Sequence, residues 1–74
     1  MAQHELDLVG LKCPLPALKT AKALKSLAKG DILIVTCTDP MAEIDIPNLL
    51  RETGNSLESK SRHHDTLIFR ILKA

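Results

Sequence analysis

The segment Lys12-Cys13-Pro14-Leu15-Pro16 contains the residues best suited to covalent chemistry in this sequence. Proline is favoured in the first turn of a helix, where the backbone N–H groups have no acceptor within the helix. Cys13 is therefore expected to be the N-cap of a helix, where the helix dipole and the adjacent Lys12 would lower the pKa of its thiol. A thiolate at such a position is both a nucleophile and a leaving group, so the segment predicts sulfur chemistry.

Pro16 occupies the position at which a Cys-x-x-Cys motif has its second thiol. A disulfide or persulfide on Cys13 would therefore have no adjacent thiol to expel it. This spacing favours a cysteine that retains the sulfur it carries, and it disfavours a thiol–disulfide oxidoreductase. The structural alternative for Cys13 is a small apolar residue buried at a helix start.

The remaining candidates for chemistry are Cys37, His63 and His64. Cys37 is predicted to end the second strand, at the same sheet edge as Cys13, either as a resolving thiol or as a buried apolar residue. The two adjacent histidines lie in a polar connection with no third ligand at a useful spacing. No metal and no other cofactor is therefore expected.

The apolar pattern predicts the elements that must position Cys13. Leu6 and Leu8 alternate with acidic residues in a first strand, and residues 31–37 form a continuous apolar run typical of a central strand buried on both faces. Between them, a helix is predicted over 15–28, stopped by Gly30. Its apolar positions at helical spacing are Leu18, Ala21, Leu24, Leu27 and Ala28.

The second half of the chain predicts one more helix and two strands. A turn is expected over 40–43, and Asp45 is expected to cap a helix that has Pro47 in its first turn and ends at Gly54. An exposed edge strand over 56–62 and a strong strand over 66–72 complete the order βαβαββ. The sequence thus predicts an α/β two-layer sandwich, with a four-stranded mixed sheet and both helices on one face.

Length and composition limit the possible functions. Seventy-four residues are expected to form a single domain, 1–74, and no apolar stretch reaches the roughly 20 residues that a membrane span needs. The first residues lack the pattern of a signal peptide, and two cysteines do not make a disulfide scaffold, so a reduced cytoplasmic protein is expected. Phe69 is the only aromatic residue, which argues against stacking on single-stranded nucleic acid.

Lysines are concentrated near Cys13, in a segment without acidic residues. Four of them follow at spacings of three, three and four residues, which predicts that they share one helical face: Lys19, Lys22, Lys25 and Lys29. A basic face beside a reactive thiol could steer an acidic protein or a tRNA backbone toward it. The alternative is an ordinary solvated helix face.

The sequence resembles the TusA/SirA-like sulfur carriers, with matching segments in the same order along nearly the whole chain. The most specific segment is Gly10-Leu11-Lys12-Cys13-Pro14-Leu15-Pro16, preceded by Leu6-Asp7. The segments that follow it are Gly30-Asp31, Thr38-Asp39-Pro40, Asp45-Ile46-Pro47 and Gly54. The resemblance implies that Cys13 carries a persulfide sulfur, supported by Lys12, Pro14, Leu15, Pro16 and Asp39. It also implies the sheet order first, second, fourth, third, with the fourth strand antiparallel to the others.

The resemblance further implies a cytoplasmic protein with two kinds of partner. The donor would be a cysteine desulfurase or a rhodanese-type sulfurtransferase, and the acceptor another protein of the relay. Membranes and DNA are not expected as partners. The known outlets of the family include tRNA thiolation, oxidation of sulfur compounds, and selenium or molybdenum-cofactor metabolism. A small redox-sensing or regulatory module using the same thiol is the alternative function.

Overall fold

The computed structural model describes residues 2–74, which form four strands and two helices. In chain order these are β1 (Gln3–Leu8), α1 (Leu15–Lys25), β2 (Ile32–Cys37), α2 (Ala42–Thr53), β3 (Ser56–His63) and β4 (Thr66–Leu72). The strands make one sheet in the order β1-β2-β4-β3, in which β1 and β2 are parallel and β4 is antiparallel to β2 and β3. The predicted two-layer sandwich and its sheet order are confirmed.

The core lies between the helices and one face of the sheet. In β4, Leu67, Phe69 and Ile71 are buried while the residues between them are half-buried, as the period of two in a strand requires. The same alternation leaves Ile34 and Thr36 of β2 half-buried. The prediction that β2 is buried on both faces is therefore wrong, because both helices cover the same face and leave the other face open.

Helix α1 ends earlier than its sequence predicted. Ser26 is its C-cap, and the Ser26 N–H donates to the Ala23 carbonyl while the Leu27 N–H donates to the Leu24 carbonyl, both at 3.2 Å. Gly30 lies further along the chain with a φ of +92°, and its N–H donates to the Lys73 carbonyl instead of closing the helix. The glycine thus serves the entry into β2, where its positive φ is accessible without a side-chain penalty.

Helix α2 begins before Asp45, so the predicted turn over 40–43 followed by a helix capped by Asp45 is wrong. Pro47 lies inside the helix, where it cannot donate to the Glu43 carbonyl. The helix nevertheless extends back to Ala42, because Ala42 and Ile46 both bury their side chains in the core. The first turn is closed by bonds such as that from the Glu43 N–H to the Pro40 carbonyl, at 3.2 Å.

Candidate functional site around Cys13

The β1–α1 loop and the β2–α2 loop meet at the carboxyl ends of the parallel strands, and Cys13 lies in the first of them, in contact with the second. Leu8 at the end of β1 pairs with Cys37 at the end of β2, so the chain leaves both strands at the same sheet edge. Gly10 then turns the chain with a φ of +86°, and its N–H donates to Thr38 Oγ1 at 3.0 Å. This bond joins the β1–α1 loop to the β2–α2 loop. They meet at the carboxyl edge of the strands, where α/β sheets commonly bind their ligands.

Cys13 is exposed, but it is not the N-cap of α1. That position is held by Pro14, and the Cys13–Pro14 peptide bond is cis. The N–H of Leu15 donates to the Lys12 carbonyl at 2.8 Å. The predicted capping of α1 by the sulfur is therefore wrong, since the sulfur lies one residue outside the helix start.

Two carboxylates surround Cys13. The Cys13 N–H donates to Asp39 Oδ2 at 2.5 Å, and the Cys13 thiol donates to Asp45 Oδ2 at 3.1 Å. The hydrogen bond to Asp45 raises the pKa of the Cys13 thiol above its ordinary value, and the negative charges of Asp45 and Asp39 act in the same direction. The predicted lowering of this pKa is therefore wrong in sign, because the Asp45 carboxylate, and not the positive end of the helix dipole, is the group in contact with the sulfur.

The raised pKa gives a direct expectation for the reactivity of Cys13. In a chain carrying Cys37→Ala, so that one thiol reports, the rate of alkylation by iodoacetamide should rise with pH to a midpoint above the ordinary thiol value of about 8.5. The thiol is protonated below that midpoint and becomes the reactive thiolate above it. The same chain unfolded in urea supplies the reference midpoint. A folded midpoint at or below this reference would contradict the assigned Asp45 contact.

Asp45 was not among the residues that the sequence assigned to the site. It was expected to be a helix cap, and the fold instead places it in the first turn of α2, next to the buried Ile46. The signal that could have revealed it is the spacing of Ala42 and Ile46 as buried positions of one helix. A helix begun at Ala42 would have put Asp45 at the same sheet edge as Cys13.

Exposed apolar side chains are concentrated on the elements that hold Cys13. Leu18, one of the apolar positions at helical spacing, is 60% exposed, because the buried face of α1 runs through Pro16, Thr20 and Leu24. Among residues 2–74, five of the six large exposed apolar side chains belong to the β1–α1 loop, the start of α1 or the start of α2. These five are Val9, Leu15, Leu18, Met41 and Ile44, and they are called the apolar collar below.

The basic face of α1 is shorter than predicted. Lys19, Lys22 and Lys25 lie on the helix and are exposed, whereas Lys29 lies beyond the end of α1 and does not continue the helical face. Lys19 and Lys22 also flank a shallow cleft over Leu6, and within residues 2–74 no carboxylate forms an ion pair with either. Lys12 is exposed beside Cys13.

The other candidate residues lie away from this surface. Cys37 is fully buried in the core, and burial followed by the charge of Asp39 raises the pKa of its thiol. Of the two alternatives for Cys37, a resolving thiol or a buried apolar residue, its burial supports the second. His63 and His64 are exposed at the β3–β4 hairpin, and no group of three metal-binding side chains occurs among residues 2–74. In that same part of the chain, no helix is long and apolar enough to cross a membrane.

Comparison with known proteins gives the family of this chain. Residues 4–73 match the family model described as "Sulfurtransferase TusA". The sulfur carrier protein TusA of Allochromatium vinosum is 37% identical over 71 residues, which cover 96% of this chain and 93% of that protein. A protein of Neisseria meningitidis serogroup A, named as a candidate sulfur carrier, is 46% identical over 57 residues, which cover 77% of this chain and 77% of that protein. The chain belongs to the TusA family.

Proposed function

We propose that this chain is a sulfur carrier that accepts a persulfide sulfur on Cys13 and passes it to an acceptor in a sulfur relay. The observation that carries the proposal is the position of Cys13, exposed where two loops meet, while Cys37, the other thiol of the chain, is buried. The sulfur therefore has one accessible site and no exposed neighbouring thiol to release it. The TusA-named relative and the family match support the same role.

The proposed transfer needs no cofactor, because sulfur moves between thiols. The sulfur of Cys13 attacks the outer sulfur of the donor persulfide, a new S–S bond forms on Cys13, and the S–S bond of the donor breaks. The donor sulfur keeps the electron pair and takes up a proton, while Cys13 loses one. Delivery repeats this exchange, with an acceptor thiol attacking the outer sulfur on Cys13.

The partners proposed for the relay are a cysteine desulfurase or a rhodanese-type protein as donor and a further carrier as acceptor. The reduced thiols of Cys13 and Cys37 suit the cytoplasm, and thiolation of tRNA or the metabolism of sulfur compounds would be the final outlet. Incubation with a cysteine desulfurase and labelled cysteine tests the proposal. A stable mass gain of one sulfur atom, mapped to Cys13, is the supporting result. A glutathione adduct or no gain contradicts it.

A redox sensor is disfavoured as the function of this thiol. Sensor cysteines are exposed and have a low pKa, and they commonly lie next to a resolving thiol. Cys13 is exposed, but Asp45 raises its pKa and Cys37 is buried.

The basic face of α1 is proposed to attract acidic partners toward Cys13. Replacing Lys19, Lys22 and Lys25 together by Glu should slow sulfur transfer with a cysteine desulfurase by about tenfold at low salt, since like charges then oppose the encounter. The difference should shrink at physiological salt, where exposed charges are screened over about 8 Å.

The corresponding triple Gln variant is the graded control for this face, and it should give an intermediate rate. Alkylation of Cys13 by neutral iodoacetamide should be the same in all three proteins, which separates docking from thiol reactivity. Equal transfer rates for the Glu variant and the parent would make the three lysines an ordinary solvated face.

A further inference from the structure

Asp45 contacts the reacting atom itself, and its charge is otherwise unbalanced. Its Oδ2 lies 3.1 Å from Cys13 Sγ, and the side chain is only partly buried, so a docked molecule can reach it. Within residues 2–74 no cation forms an ion pair with Asp45. Glu43, on the same helix, differs in this respect, because it pairs with Lys60 at 3.6 Å and Arg62 at 3.3 Å.

The charges that face Cys13 are predominantly negative. Asp45 approaches from α2 and Asp39 from the β2–α2 loop, while Lys12 comes from the β1–α1 loop and, among the described residues, forms an ion pair with neither carboxylate. Both carboxylates raise the pKa of Cys13. In the free protein they therefore oppose the thiolate that sulfur transfer requires, and a positive charge brought by another molecule would reduce this opposition.

We propose that Asp45 is a specificity-determining residue for the molecules that react with Cys13. In the free protein its carboxylate holds the thiol proton of Cys13 through their hydrogen bond. This hydrogen bond is released when a partner presents a cationic group beside its own reactive sulfur. The cation pairs with the Asp45 carboxylate and replaces its hydrogen bond to the thiol. Partners with positive charge next to the reacting sulfur are thereby favoured, and neutral or anionic sulfur compounds are disfavoured. This inference rests on the proposed sulfur-carrier function and adds the charge of the partner.

Exchange with small symmetrical disulfides tests the proposal with defined charges. The Cys13 thiol loses its proton to solvent, its sulfur attacks one disulfide sulfur, a mixed disulfide forms, and the other half leaves as a thiolate that takes up a proton. Cystamine supplies a cation, hydroxyethyl disulfide is neutral, and dithiodipropionate supplies an anion. Each rate is measured for a Cys37→Ala chain with and without Asp45→Asn, so that the intrinsic reactivity of each disulfide cancels.

The expected result is a change in preference as well as in overall speed. Asp45→Asn should accelerate exchange with dithiodipropionate most and with cystamine least, so that the cystamine-to-dithiodipropionate rate ratio falls about tenfold at low salt. Glu43→Gln is the matched control, a carboxylate removed from the same helix without a contact to Cys13, and it should leave the ratio within about twofold of the parent. The parent ratio should also fall as salt is added, a measurement that needs no Asp45 variant.

Two results would overturn the proposal. One is a rate ratio that Asp45→Asn leaves unchanged, and the other is an equal fall of the ratio in Glu43→Gln. Sulfur loading from a cysteine desulfurase is measured on the same proteins. Loading of the parent chain with an unchanged ratio would refute the role of Asp45 alone, whereas absent loading of the parent would refute the sulfur-carrier function.

Discussion

Cys13→Ser should abolish sulfur acceptance while leaving the fold intact. The Cys13 side chain is exposed, and the one side-chain hydrogen bond found for it in residues 2–74, to Asp45, is one that a serine hydroxyl can also donate. Removing the sulfur therefore removes the nucleophile with little change in the free energy of unfolding. Incubation with a cysteine desulfurase and labelled cysteine, followed by mass spectrometry, should show full loading of the parent chain and none of the variant.

The matched control for this experiment is Cys37→Ala, which removes the other thiol of the chain. Because Cys37 is fully buried, this change should lower the free energy of unfolding by about 1 kcal/mol and leave sulfur loading on Cys13 intact. The two variants thus separate chemistry from stability. Labelled sulfur on Cys13→Ser would move the carrier site to Cys37 and contradict the proposed role of Cys13.

The strands were the most predictable part of this fold. In β4 the alternation of Leu67, Phe69 and Ile71 with more polar positions reports directly which face meets the helices, and its predicted range agrees with the structure. The exposed edge strand β3 was also predicted, because eight residues with a single large apolar side chain cannot form a buried strand. In β4, the period of two along the sequence predicts both the strand and the face that it buries.

The helices were less predictable, because apolar side chains near Cys13 do not mark the core. Leu18 is one of the apolar positions that recur at helical spacing, whereas the structure buries Thr20 and Pro16 and leaves Leu18 exposed in the apolar collar. Hydrophobicity alone cannot distinguish an apolar residue that packs in the core from one that is exposed on the surface. The apolar positions of α1 therefore do not by themselves identify its buried face.

The electrostatics of the site could not be obtained from spacing along the chain. Cys13 and Asp45 are 32 residues apart, and their contact exists only because α1 and α2 begin at the same edge of the sheet. The local pattern around Cys13, a lysine and two prolines, indicated a lowered pKa. The tertiary contact raises it instead, because a carboxylate at hydrogen-bond distance outweighs a cation that forms no ion pair there.

Asp39 connects the β1–α1 loop, which carries Cys13, to the start of α2. Asp39→Ala should therefore weaken the attachment of this loop and the first turn of α2. One of its carboxylate oxygens accepts from the Cys13 N–H at 2.5 Å and the other accepts from the Met41 N–H at 3.2 Å. Loss of these acceptors should lower the free energy of unfolding by about 1–2 kcal/mol. For a domain of this size each kcal/mol corresponds to a fall in Tm of about 4–8 °C.

Sulfur loading should slow in Asp39→Ala for a reason separate from stability, because Cys13 is then no longer fixed against the β2–α2 loop. Asp7→Ala is the matched control: Asp7 Oδ1 accepts from the nearby Val9 N–H at 3.0 Å, with no contact to Cys13. Both variants are assayed for desulfurase-dependent loading well below their Tm. Asp39→Ala should load more slowly than the parent and Asp7→Ala at the parent rate. Equal loading by all three proteins would mean that Asp39 stabilises the start of α2 without holding the cysteine in place for transfer.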